Sequence, residues 1–292
     1  MKVAIIGAGK MGRWFTKFFL EQGISVVISD KDQEKLARIR EELKVEIASS
    51  VEAVKSADRV LVCVPIESFE NVIAEIHSHI RPEQKVMDIC SVKEHPVEIM
   101  HRYIRNGAVL GTHPMFGPGV KTIKNQNFVL TPTNAEEEKL AEEFGNWLKE
   151  KGAKVFVMSP EEHDKLMSVV LGLPYFLSLV TCDTLISYDR FSDAQKVSGA
   201  SYKFLLTMVE AIVSEDAEFS TSLQMNLPEN NKVGELFLRK AAEWLELINK
   251  RDRKTFLDKV KRLKNDLAKI DPDYLKFYEA MHKMLETLKS EN

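Results

Sequence analysis

The sequence is short of cysteine, of basic excess and of long apolar runs, and each shortage excludes a class of protein. Only three cysteines occur, Cys63, Cys90 and Cys182, at spacings unlike a metal-binding knuckle. An odd, sparse set cannot build a disulfide framework and fits a reducing, cytoplasmic compartment. Cys63 and Cys90 sit in or just after apolar runs and read as inert core thiols. Lysine and arginine number 41 against 44 acidic residues, a formal charge of −3. This near-neutral balance gives no general field for nucleic acid or a membrane surface, so an anionic substrate would need local cations. The apolar runs look short and flanked by charge, none near the roughly 18 residues of a membrane span. The N-terminus opens into a strand without the layout of a signal peptide. No cluster of His, Cys and acid has metal-site spacing, so no metal is expected.

What is present is a chain of 292 residues, 44% hydrophobic and 29% charged, long enough for two domains with real cores. The first half alternates short apolar runs (2–6, 25–29, 59–64, 85–89, 108–111, 128–130 and 154–157) with amphipathic helical segments. Continuous apolar strands separated by helices predict a parallel sheet covered on both faces, with right-handed crossovers. After Met158 the pattern changes. Ser159-Pro160-Glu161-Glu162 is a helix start, with a Ser cap, Pro at the first position and acids in the first turn. Helical periodicity then holds to the end. The predicted fold is therefore α/β: a doubly wound sheet of the Rossmann type over 1–158, followed by an all-helical second domain over 159–292. The segment 166–185 is apolar on nearly every face, which places it in a domain core or at a subunit interface. Pro174 within it should kink the helix.

The first βα turn reads Gly7-Ala-Gly9-Lys10-Met11-Gly12. This is a GxGxxG fingerprint directly after a strand and opening a helix. The first glycine permits the tight turn, the second lets backbone approach a pyrophosphate, and the third lets helix and strand pack closely. The helix N-terminus offers free N–H groups to the phosphates. The second strand ends at Asp30, where a ribose-binding acid is expected. An acid there accepts hydrogen bonds from both ribose hydroxyls and repels a 2′-phosphate, which favours NAD over NADP; the alternative is a simple turn residue. Val64 and Pro65, closing the apolar run 59–64, would border the nicotinamide side of the cleft.

Ligands in open α/β sheets bind beyond the carboxyl ends of the strands. Two polar clusters fall there, Asp88-Ile-Cys-Ser91-Val-Lys93 and Gly111-Thr-His113-Pro-Met-Phe-Gly-Pro118. A histidine held between a strand end and a Pro/Gly-rich turn suits a general base for a hydroxyl that loses hydride. The second cluster resembles the GxHPMFGP signature of the prephenate dehydrogenase family. The first is similar to the D-x-x-S-V-K segment that precedes it in that family, and Ser159-Pro-Glu-Glu-His163-Asp164 to the S-x-E-x-H-D segment that opens its helical domain. The resemblance covers about 1–225 with motifs in order and looks closest to the archaeal branch.

The resemblance implies NAD-dependent oxidative decarboxylation of prephenate to 4-hydroxyphenylpyruvate, for tyrosine synthesis, in a homodimer joined through the helical domain. It assigns His113 as the group that binds and deprotonates the substrate hydroxyl. Ser91 would orient that pair, or else cap a helix. Lys203, in Gly199-Ala-Ser-Tyr-Lys203, matches a family lysine at the active-site edge, or is a solvated helix lysine. Lys93 and Lys121 are weaker candidates; Lys93 can equally neutralise Asp88. Two positions depart from the pattern. Thr207 stands where many relatives carry a carboxylate-clamping arginine, and Tyr175 where many carry a histidine. Thr207 cannot form a bidentate ion pair, which leaves Lys203, Arg190 or a partner residue to supply charge, and Tyr175 to donate one hydrogen bond or serve as core. His163 reads as a hinge or capping residue. Arogenate, with an amino-bearing side chain, would use the same machinery. A β-hydroxyacid dehydrogenase or imine reductase shares the architecture but would not be expected to carry residues 111–118. A dinucleotide-binding sensor would need no base.

Overall fold

The computed structural model describes residues 1–289. Its strands are β1 (Lys2–Ile6), β2 (Ser25–Ser29), β3 (Glu46–Ile47), β4 (Arg59–Val62), β5 (Lys85–Asp88), β6 (Ala108–Pro114), β7 (Asn127–Thr131) and β8 (Lys154–Val157). They form one sheet in the order β3-β2-β1-β4-β5-β6-β7-β8. Helices α1 (Lys10–Glu21), α2 (Gln33–Leu43), α3 (Ser50–Ser56), α4 (Ile66–Ile76), α5 (Glu94–Tyr103), α6 (Ala135–Glu150) and α7 (Pro160–Met167) connect and follow them. Alternate strand residues point to opposite faces, and two separate cores result. Ile5, Leu61, Met87 and Leu110 pack with Phe15, Phe18 and Phe144 of α1 and α6. Ala4, Val60, Val86 and Val109 pack with Val54, Phe69, Ile73 and Met100 of α3, α4 and α5. Two apolar faces explain why these strands carry nearly unbroken Val/Ile/Leu runs.

Two features differ from the sequence expectation. The short edge strand β3 has only two residues, too few to produce a period in the sequence. And the sheet is not wholly parallel: β6 and β7 pair antiparallel, with His113 opposite Val129. A parallel pair needs a long crossover, whereas residues 115–126 contain no helix or strand, so the chain simply reverses. The reversal also lengthens β6 to Pro114, beyond the end of β5, whose Asp88 pairs with Gly111.

The chain divides into two compact units, Met1–Met167 and Ser168 onward. Helix α7 thus goes with the sheet, although its sequence opens the helical half. The second unit contains α8 (Leu173–Ser187), α9 (Phe191–Lys196), α10 (Ala200–Val213), α11 (Ala217–Asn226), α12 (Asn230–Asn249), α13 (Arg253–Ile270) and α14 (Lys276–Lys289). Just before Pro174 the residues Ser168–Gly172 form a π-helical turn. A proline removes one backbone donor and crowds the preceding turn, and a widened π turn is one way a helix accommodates this. Gly172 leaves room there for Asn230: a Cβ would lie 1.9 Å from Asn230 Oδ1, so that side chain would have to move.

The apolar segment 166–185 is not the core helix that its composition permitted. Leu166, Val169, Val170, Leu179 and Val180 are all exposed within the single chain. The helical run Pro160–Ser187 contains an 18-residue window of mean hydropathy 1.8, by length and composition apolar enough to cross a membrane, contrary to the expectation that no such run exists. Helices α12 and α13 bury none of their residues, and Leu236, Leu245, Ile248, Leu263 and Leu267 stand exposed along them.

Candidate active site

The glycine turn has the geometry that a dinucleotide cradle needs. Gly7 has φ +111°, a conformation that L side chains rarely adopt, and a Cβ on it would lie 2.4 Å from the Cys63 carbonyl oxygen. On Gly12 a Cβ would meet the Gly7 carbonyl oxygen at 1.9 Å, so only glycine lets α1 pack this close to β1. Gly9 differs from both: nothing lies within 4 Å of its Cβ position, which leaves its backbone open to an approaching ligand. It occupies the N-cap position of α1 with no side-chain cap, so the first N–H groups of the helix are left for an anion. Lys10 is exposed and Met11 half-buried beside them.

Asp30 stands at the end of β2. Its carboxylate accepts from Ala8 N at 2.6 Å and from Asp32 N at 2.8 Å, which ties the glycine turn to the β2 end. A carboxylate has about four lone-pair sites, so two hydroxyls could still be accepted. Val64 lies against Gly7, and Pro65 is the N-cap residue of α4. The Pro/Gly-rich turn after β6 is anchored to the same helix that the cradle opens. Trp14 of α1 donates its indole N–H to Val120 O at 2.7 Å and packs on Phe116 with ring centroids 5.1 Å apart. Phe116 in turn packs on Phe128 of β7.

His113 is not in a loop but in the extension of β6, at 5% exposure. β1, β4, β5 and β6 are successive neighbours, so the cradle and His113 stand three strand spacings apart, roughly 14 Å, along one edge of the sheet. Burial pushes the His113 imidazole well below its ordinary pKa, aided by the neighbouring His163 and Lys93. It is therefore a neutral group near pH 7, able to accept a proton. Its Nδ1 lies 2.8 Å from Nε2 of His163, and Nδ1 of His163 lies 2.6 Å from Asp164 Oδ1. His163 is fully buried and also lies below its ordinary pKa, through burial, against the opposing pull of the Asp164 hydrogen bond.

Asp164 has a second task. Its carboxylate accepts from the backbone N–H of Lys93 at 2.7 Å and of Glu94 at 3.0 Å. It thereby caps α5, whose own N-cap residue, Lys93, contributes no side-chain bond. Ser91, half-buried on the bend before α5, is not that cap. No local signature in the sequence marks this cap, because the capping residue lies some 70 positions away.

Lys93 does not take the substrate-facing place considered for it. It is fully buried; its ammonium pairs with Asp88 and donates to the Thr112 carbonyl at 2.6 Å. Asp88 also accepts from Cys90 N at 2.8 Å and Thr112 N at 3.3 Å. The pair thus pins the strand residue next to His113 to the end of β5. Lys203 and Tyr175 belong to the second unit. Lys203 is exposed on α10, and Thr207 only returns its hydroxyl to the Lys203 carbonyl. Tyr175 is half-buried with its ring edge on Phe219; burial raises its hydroxyl pKa. Arg190 is exposed beside Asp193, and Lys121 is exposed.

A family model described as "Prephenate dehydrogenase, nucleotide-binding domain" matches residues 15–157, and one described as "Prephenate dehydrogenase, dimerization domain" matches residues 159–264. The glycine turn lies ahead of the first match and is an independent observation. A "Probable arogenate/prephenate dehydrogenase" of Methanocaldococcus jannaschii is 33% identical over 264 residues, which span 88% of this chain and 59% of that protein. The T-protein of Haemophilus influenzae is 26% identical over 279 residues, 94% of this chain and 69% of its own length. The chain therefore spans only about three fifths of the first relative. Among solved structures, prephenate dehydrogenase from Aquifex aeolicus, in complex with hydroxyphenyl propionate and NAD+, superposes with a TM-score of 0.76 at 23% identity, over 93% of this chain and 98% of that one. Arogenate dehydrogenase from Synechocystis gives 0.72 at 18% identity, over 92% and 100%. These two share the fold. By its two matched domains, its glycine-turn sheet and its His-Pro strand end, the chain belongs to the prephenate dehydrogenase family.

Proposed function

We propose that the chain is an NAD-dependent dehydrogenase that oxidises and decarboxylates prephenate, giving 4-hydroxyphenylpyruvate and CO2. The observation that carries this reading is a neutral, buried histidine on the overhanging end of β6, along the same sheet edge as a glycine cradle with an open backbone. NAD, when bound, would supply the hydride acceptor for C4 of the substrate ring. Gly9 and the N-terminus of α1 would hold its pyrophosphate, and Asp30 would accept from the ribose hydroxyls. His113 takes the hydroxyl proton as the C4–O bond gains carbonyl character. When the C1 carboxylate leaves as CO2, its electron pair makes the ring aromatic, and His113 returns the proton to the phenolate oxygen. Ser91 hydrogen-bonds to the same oxygen. Lys203 is the proposed cation for a substrate carboxylate, and Tyr175 a proposed hydrogen-bond donor.

The proposed assembly is a homodimer. The apolar residues left exposed on α8, α12 and α13 are more than isolated surface hydrophobics and call for a cover, and the helical half matches a domain described as a dimerization domain. The test is NADH formation by purified protein with prephenate or arogenate and NAD or NADP. Turnover with prephenate and NAD is expected; turnover confined to arogenate would move the substrate assignment, and silence with every pair would reject it.

A further inference from the structure

We propose that Asp164 and His163 are positioning residues that fix the tautomer of His113, leaving its Nε2 as the bare, proton-accepting nitrogen. The inference rests on the dehydrogenase reading only for the identity of the proton that Nε2 takes.

Asp164 sets the direction of the chain. Two backbone N–H groups at the start of α5 donate to its two oxygens, one to each, so both oxygens are acceptors. An ionised carboxylate only accepts, so the His163 nitrogen 2.6 Å away, Nδ1, carries the hydrogen. Burial keeps His163 neutral, with one ring proton, so its Nε2 is an acceptor. Nδ1 of His113, 2.8 Å from that acceptor, must then donate. Because His113 is neutral too, its own Nε2 is bare. None of the described residues hydrogen-bonds to this nitrogen, and it is not among the buried polar atoms left without a partner. Turning either ring over would place carbon where nitrogen now bonds. Running the three-member chain in the opposite sense would require a protonated carboxylate at a helix N-terminus. The same chain stabilises the imidazolium formed when His113 takes a proton, since Nδ1–H already points along the path to Asp164.

A purely structural role predicts something different. If Asp164 serves only to cap α5 and His163 only to fill space, their loss lowers stability but leaves the proton position on His113 unspecified by them. Nitrogen-15 NMR on histidine-labelled full-length protein without ligand at pH 7 reads the tautomer, with His113 assigned by the signal lost in His113→Asn. A hydrogen on Nδ1 and a bare Nε2 are expected; a hydrogen on Nε2 would overturn the proposal. In kinetics, His163→Phe is expected to lower kcat about a hundredfold, within the range for a misplaced general base, with KM and the NAD Kd within about twofold. It should cost nothing further in a His113→Asn background, because it acts through His113. A full additional loss there, or a loss confined to KM or NAD binding, would overturn the proposal. If His163→Phe fails to fold, the wild-type spectrum still decides. The spectrum needs no substrate, so a wrong substrate shows only in turnover and a wrong tautomer only in the spectrum.

Discussion

Holding a histidine neutral inside the protein costs stability in acid, and the cost can be worked out. An unfolded histidine takes up its proton near pH 6.5. Folded His113 stays neutral well below that value because it is buried beside His163 and Lys93. As pH falls through 6.5 the unfolded chain binds a proton that the folded chain does not, so stability present above pH 6.5 is lost progressively towards the folded pKa. Between pH 7.5 and 5.5 His113 alone should cost on the order of 1 kcal/mol. His163, shifted the same way, adds to the loss. His101 works in the opposite direction, since its hydrogen bond to Glu137 raises its pKa, but it does so equally in every variant compared. In His113→Asn the amide can still donate to His163, so the packing should survive while the titration disappears. Urea unfolding followed by tryptophan fluorescence, at both pH values and matched protein concentration, should show the variant losing on the order of 1 kcal/mol less than wild type. Equal losses would mean that His113 is not held neutral, and the base assignment would lose its electrostatic footing.

Three further substitutions probe other parts of the account. Gly12→Ala puts a Cβ 1.9 Å from the Gly7 carbonyl oxygen, so the turn must open; NAD Kd by calorimetry should rise more than about tenfold, and an unchanged Kd would remove the turn from the cofactor site. Asp30→Ser should weaken NAD and improve NADP, through loss of the ribose acceptor and of its repulsion of a 2′-phosphate; an unchanged cofactor ratio contradicts the ribose assignment. Lys93→Met leaves Asp88 buried without its cation and should cost about 3 kcal/mol in chemical unfolding. A near-neutral result would mean that the Asp88 hydrogen bonds to Cys90 and Thr112 suffice alone.

The parts of this molecule legible in the sequence are those written locally. Apolar runs and helical periods mark seven of the eight strands and the change to helices, because each is a repeating pattern over neighbouring residues. The glycine turn is legible because three positions have distinct steric demands within six residues. His113 was found from its motif, although its strand placement was not: the extension of β6 depends on antiparallel pairing with β7, which no local pattern encodes. The same non-local character hid the roles of Lys93 and Asp164. A lysine following a strand end looks like a surface cation until the fold wraps Asp88 and the Thr112 carbonyl around it. Asp164 looks like a helix residue next to a histidine until α7 delivers it to the N-terminus of α5. The consecutive His163-Asp164 pair was the available signal, since a carboxylate beside a histidine can orient it. Likewise, the apolar segment 166–185 left core and interface equally open from composition; exposure in the single chain removes the first.

The account turns on His113 as the proton acceptor in an NAD-dependent oxidation. The most direct measurement compares wild type with His113→Asn for NADH formation from prephenate, with NAD binding determined on the same preparations. The account predicts turnover by wild type, a loss of at least about a hundredfold in kcat for the variant, and equal NAD affinity for both. Turnover by the variant close to wild type would contradict it.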